Sequence, residues 1–75
     1  MKRVGEVVRT AQGLAIVRAP DDDHPGIGAT VLDERLSKVG RVVDVFGPVP
    51  RPYLAVVPDD RSALPSLLGG KLYVR

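Results

Sequence analysis

The chain has 75 residues, a formal charge of +2 and no cysteine. A domain this small buries only about 60–65% of its unfolded surface and is stable by roughly 4–11 kcal/mol, which leaves little room for a deep catalytic cavity. The missing cysteines exclude a disulfide framework and a thiolate metal site. No apolar run approaches the ~20 residues of a membrane span and no signal-peptide core opens the chain, so one soluble, cytoplasmic domain over residues 1–75 is expected.

Valine is abundant, glycine and proline punctuate every few residues, and no long 3.6-residue periodicity is present. That pattern predicts an all-β domain of short strands. Strands are expected near Arg3–Thr10, Gly13–Ala19, Thr30–Asp33, Val39–Phe46, Tyr53–Val57 and Lys71–Val74. Ala11-Gln12-Gly13 reads as a hairpin turn, with Gly13 free to take positive φ. Pro20 to Gly28 is a polar loop. Pro58 to Leu68 has room for one helical turn, with Asp59, Asp60 and Ser62 as candidate caps.

The paired valines Val7–Val8, Val42–Val43 and Val56–Val57 break the alternation of a half-exposed strand. They suit strands buried on both faces, or strands bent through a bulge at a barrel corner. Six short strands close best into a β-barrel, which removes exposed edges. Val4-Gly5-Glu6-Val7-Val8 and Val39-Gly40-Arg41-Val42-Val43 share the frame Val-Gly-x-Val-Val. Either this is coincidence in a valine-rich chain, or two half-barrels place a glycine where the sheet bends and backbones approach. The second reading suits a double Greek-key barrel.

Few side chains invite chemistry. His24 follows Asp21, Asp22 and Asp23, but neighbours on an extended loop point different ways, so a solvated acidic loop is expected rather than a metal site or a general base. Asp33-Glu34 and Asp59-Asp60 are sequence neighbours at loop starts and read as turn and cap residues, not as facing catalytic carboxylates. Asp44 sits in an apolar strand, where a solvent-facing or hydrogen-bonded structural acid is the expected role. No serine lies near a base and no glycine loop suits a phosphate. The residues predict no enzyme, no cofactor and no metal.

Residues 39–53 are the most informative. A valine-rich strand runs into Phe46-Gly47-Pro48, and Pro50 and Pro52 bracket Arg51 before Tyr53 opens the next strand. Gly47 permits a sharp turn, and each proline fixes φ and withholds an amide donor. Three fates are open to Phe46 and Tyr53. They can pack in the core, stack on single-stranded bases with Arg51 on a phosphate, or anchor a protein partner. The stiff prolines favour docking, because a preorganised loop loses little entropy on binding.

Val39-Gly40-x-Val42-x-Asp44-Val45-Phe46-Gly47-Pro48-Val49-x-x-Pro52-Tyr53 resembles the signature of the small glycine-arginine-rich-type subunit of H/ACA ribonucleoproteins, the guide-RNA machines that make pseudouridine. Arg3-Val4-Gly5, Gly13 to Val17, Val31-Leu32-Asp33 and Gly70 to Val74 agree with it in order, and the chain in length. The resemblance implies a six-stranded closed barrel of the translation-elongation-factor type and a role without chemistry. It implies docking on a dyskerin-like pseudouridine synthase, with guide and substrate RNA met mostly indirectly and no membrane partner. It further implies an effect on how substrate RNA is loaded and released during pseudouridylation of rRNA and tRNA. The Arg-Gly-Gly tails of eukaryotic members are not in this sequence, as expected of an archaeal form. The implied partner surface is Val45, Phe46, Gly47, Pro48, Val49, Arg51, Pro52 and Tyr53. Phe46 and the Pro48-Val49 tip would fill pockets, and Arg51 would pair with an acidic group at the rim. The alternatives are a ribosome-maturation-type adaptor barrel, which does not usually share Phe46 to Tyr53, and a direct RNA-binding barrel.

Overall fold

The computed structural model describes residues 2–75. Six strands form, β1 (Lys2–Ala11), β2 (Leu14–Arg18), β3 (Thr30–Leu32), β4 (Lys38–Phe46), β5 (Tyr53–Pro58) and β6 (Lys71–Val74). All pairings are antiparallel, and the order β1-β2-β5-β4-β3-β6 closes into a barrel. The strands β3, β4 and β5 are a meander, flanked by β6 beside β3 and β2 beside β5. Each flanking strand is joined to the meander by a long connection, β2 to β3 and β5 to β6, so two Greek keys share the meander. The sequence places every strand to within one or two residues at each end.

The echo of Val-Gly-x-Val-Val has a geometric basis. Exchanging β1, β2 and β3 for β4, β5 and β6 leaves the pairing order unchanged. The cross-strand pairs Ile16–Ala55 and Leu32–Tyr73 map onto themselves under this exchange. Val8 is the extra residue where β1 slips against β2, and Val43 is its counterpart where β4 slips against β5. The two are 43% and 42% exposed, so the bulges turn equivalent valines outward. A Cβ on Gly5 would sit 2.1 Å from the Arg18 carbonyl oxygen, and one on Gly40 1.9 Å from that of Val57. Only glycine permits either approach. Val56–Val57, by contrast, lies in a strand without a bulge.

Inward positions make one core. Val4, Val7, Val17, Val31, Val42, Leu54, Val56 and Leu72 are all essentially inaccessible. Leu64 and Leu67 pack against this core from a short helix, α1 (Leu64–Leu67), which follows a 3-10 turn at Arg61–Ala63. Asp60 caps that turn, accepting from the Ser62 amide at 3.0 Å and the Ser62 hydroxyl at 2.7 Å. These bonds, the hydroxyl's first, hold the Asp60 carboxyl below its ordinary 3.8. A lowered folded-state value means the stabilisation is present above about pH 4 and is lost as the pH falls through the folded-state value. Asp60→Ala is therefore expected to lower the Tm at pH 7. Thermal melts at decreasing pH should show its gap to the wild type closing below about pH 4.

The turn between β1 and β2 contains Gln12 and Gly13, with φ of 53° and 77°. Two successive positive φ values match a tight two-residue hairpin, whose twist suits the flanking strands. Gly13 is the position the sequence marks. Gln12 carries no such mark.

Candidate partner and RNA-facing site

The hairpin between β4 and β5 corresponds to that tight turn in the other half of the barrel, yet it is six residues long, 47–52. This is where the halves differ most in their hairpins. Gly47 leaves β4 with φ of 90°, and its Cα lies against the Tyr53 ring, where a Cβ would come within 2.9 Å of Cδ2. Pro48 to Arg51 is a turn closed by the Arg51 amide donating to the Pro48 carbonyl at 3.1 Å. At its apex Val49 is 82% exposed.

The base of the loop is tied to the end of β2. The Ala19 amide donates to the Pro52 carbonyl at 3.0 Å, and Arg51 Nε donates to the Ala19 carbonyl at 3.1 Å. Pro52 is buried at this junction, and Val45 is half-buried against the core. These two position the loop in the isolated chain, and the surface it offers comes from Phe46, Pro48 and Val49. Arg51 uses one of its donors within the chain and keeps the others.

Phe46 and Tyr53 are a cross-strand pair whose rings stack, centroids 5.6 Å apart and planes 19° from parallel. Phe46 faces outward, 37% exposed, while Tyr53 is half-buried. The Arg18 guanidinium lies 4.6 Å from the Tyr53 ring centroid, and its Nη1 donates to the Tyr53 hydroxyl at 2.6 Å. Phe46, Tyr53, Arg18, Glu6 and Lys71 are thus successive members of one row crossing β4, β5, β2, β1 and β6. Arg18 completes the site and escaped the sequence motif. Its only linear signal is a charge at the end of the apolar run Leu14–Val17.

Tyr53→Phe tests the row. It removes the acceptor of a charged donor on a half-buried side chain, worth about 1.5 kcal/mol. A Tm lower by roughly 6–12 °C is expected, without loss of the ring stack.

Several of the other acids are occupied locally. Asp44 is exposed and accepts the Val45 amide at 2.8 Å. Asp33 accepts the amides of Arg35 and Ser37 at 2.8 and 3.0 Å, closing a turn in which Leu36 takes φ of 65°. In the acidic loop Asp21 accepts the Asp23 amide, His24 Nδ1 lies 2.9 Å from the Pro25 carbonyl, and Asp23 pairs with Lys2. No group of three or more candidate metal ligands occurs among the described residues.

The family described as the Gar1/Naf1 RNA binding region matches residues 1–75. The chain belongs to the Gar1/Naf1 family. It is also 38% identical over 54 residues to an uncharacterized protein of Methanocaldococcus jannaschii. That match takes in 72% of this chain and 63% of the relative, so the chain spans less than two thirds of the curated relative's length. In this Gar1/Naf1 barrel, the stacked pair and the proline-stiffened loop are the parts that give an otherwise two-fold framework a distinct face.

Proposed function

We propose that this chain is a non-catalytic accessory subunit of an H/ACA guide-RNA ribonucleoprotein of the archaeal type. It binds a dyskerin-like pseudouridine synthase directly, through the loop between β4 and β5. Guide and substrate RNA lie mostly on the synthase, and the complex works in the cytoplasm on rRNA and tRNA. The observation that carries the reading is the loop itself. An apolar apex stands exposed on a base fixed by three prolines, two bonds to Ala19 and the aromatic stack. Such a surface loses little entropy on docking, and an exposed aromatic beside it is a typical anchor.

The role follows from what the barrel offers. Docked on a synthase, it biases the equilibrium between conformations that hold and release substrate, and so acts on turnover and not on bond making. A reconstituted pseudouridylation assay separates the two. Adding the chain to synthase and guide RNA is expected to raise the multiple-turnover rate and leave the single-turnover rate unchanged. A change confined to the single-turnover rate would contradict this role.

A further inference from the structure

A second feature lies beside the docking loop and shares Arg18 and Arg51 with it. Arg3, Arg18 and Arg51 line one cavity of about 150 Å³, together with Gly5, Glu6, Val8 and Pro20. The three arginines come from the start of β1, the end of β2 and the base of the β4–β5 loop, so the fold gathers charges distant in sequence. No carboxylate lies within 4 Å of any of the three guanidinium groups among the described residues, where the ion pairs are Lys2–Asp23 and Lys38–Asp59. Glu6 is the one acid in the lining and leaves an excess of two positive charges. Arg18 Nε is buried and has no hydrogen-bond partner.

Three guanidinium groups gathered at one concavity with a single carboxylate among them repel one another. An oxyanion in the concavity relieves that repulsion. A phosphate suits the site better than a carboxylate, since its several oxygens can take bidentate donors from more than one arginine. The concavity has room for one tetrahedral group.

We propose that this cavity binds a backbone phosphate of single-stranded RNA. The choice of RNA as the source of the phosphate rests on the accessory-subunit reading. The cavity itself stands on the arginine geometry. Arg51 is tied back to Ala19 on this side of the loop, so the apex at Val49 stays free and both partners can be held together. The site gives the barrel a direct grip on RNA as well as a protein contact.

The test uses the chain alone, so its outcome does not depend on the synthase. A fluorescently labelled oligouridylate of about ten nucleotides is titrated at low salt and followed by anisotropy. Arg3→Gln is expected to weaken binding roughly tenfold, the loss of one charge-assisted contact. Glu6→Gln is expected to strengthen it, a gain that no partly unfolded variant would produce. Arg35→Gln, at a separate cavity of the barrel, is expected to leave it unchanged. Equal weakening by Arg3→Gln and Arg35→Gln would mean diffuse attraction and would overturn the site. So would absence of RNA binding by the wild type. Displacement of the RNA more readily by a glutamate peptide than by inorganic phosphate would assign the cavity to a protein carboxylate instead.

Discussion

Phe46→Ala is expected to weaken synthase binding by about 2–4 kcal/mol, roughly 30- to 1000-fold in Kd, while the barrel stays folded. The expectation rests on where the ring lies. Phe46 faces outward at the end of β4, is 37% exposed and touches Tyr53, and it is absent from the buried core. Removing it takes away an anchor and half of a stack without opening an internal cavity. Titration calorimetry gives the affinity, and a thermal melt of the free variant shows whether the fold survives. Val49→Asp provides an independent check at the apex, where the side chain is 82% exposed and contributes little to the fold. It should reduce binding by burying an unpaired charge. Cooperative unfolding of Phe46→Ala at ambient temperature would make Phe46 a core residue and remove the basis for the docking surface.

Gly40→Ala is expected to destabilise the barrel by at least about 3 kcal/mol, more than a common overpacking change, because the obstacle is main chain. The added Cβ would lie 1.9 Å from the Val57 carbonyl oxygen and 2.8 Å from its carbon. Neither atom can move without disturbing the β4–β5 ladder, in which Gly40 faces Pro58 and Arg41 faces Val57. Set against a total stability of roughly 4–11 kcal/mol, this is a large share, and the Tm should fall by roughly 12–24 °C. Gly26→Ala is the matched control, since open space surrounds that position. It should change stability by less than about 0.5 kcal/mol. Equal melting of the two variants would mean that the backbones do not approach as described.

The fold was legible because its determinants are local. Valine runs set the strands, glycine and proline set their ends, and the repeated Val-Gly-x-Val-Val carried both the close approach at Gly5 and Gly40 and the bulges at Val8 and Val43. Asp60 as a cap and Asp44 as an outward acid follow from the same local rules. The site was less legible. Phe46 to Tyr53 announced a stiff loop, but three fates for its aromatics remained open until the fold turned Phe46 outward and wedged Tyr53 between it and Arg18. The pairing of Arg18 with Tyr53, the return of Arg51 to Ala19 and the gathering of Arg3 with both depend on barrel closure. No spacing along the chain encodes such contacts. The positive φ of Gln12 and Leu36 was hidden for another reason, since neither residue type favours that conformation and the surrounding turns impose it.

The central claim is that this barrel works by holding a pseudouridine synthase. Titration calorimetry of the chain into the synthase of the same cell, with guide RNA alone as the parallel titrant, tests it most directly. The account predicts saturable one-to-one binding to the synthase that is much tighter than any binding to guide RNA. Heat from the RNA titration with none from the synthase would contradict it and make the barrel an RNA-binding module in its own right.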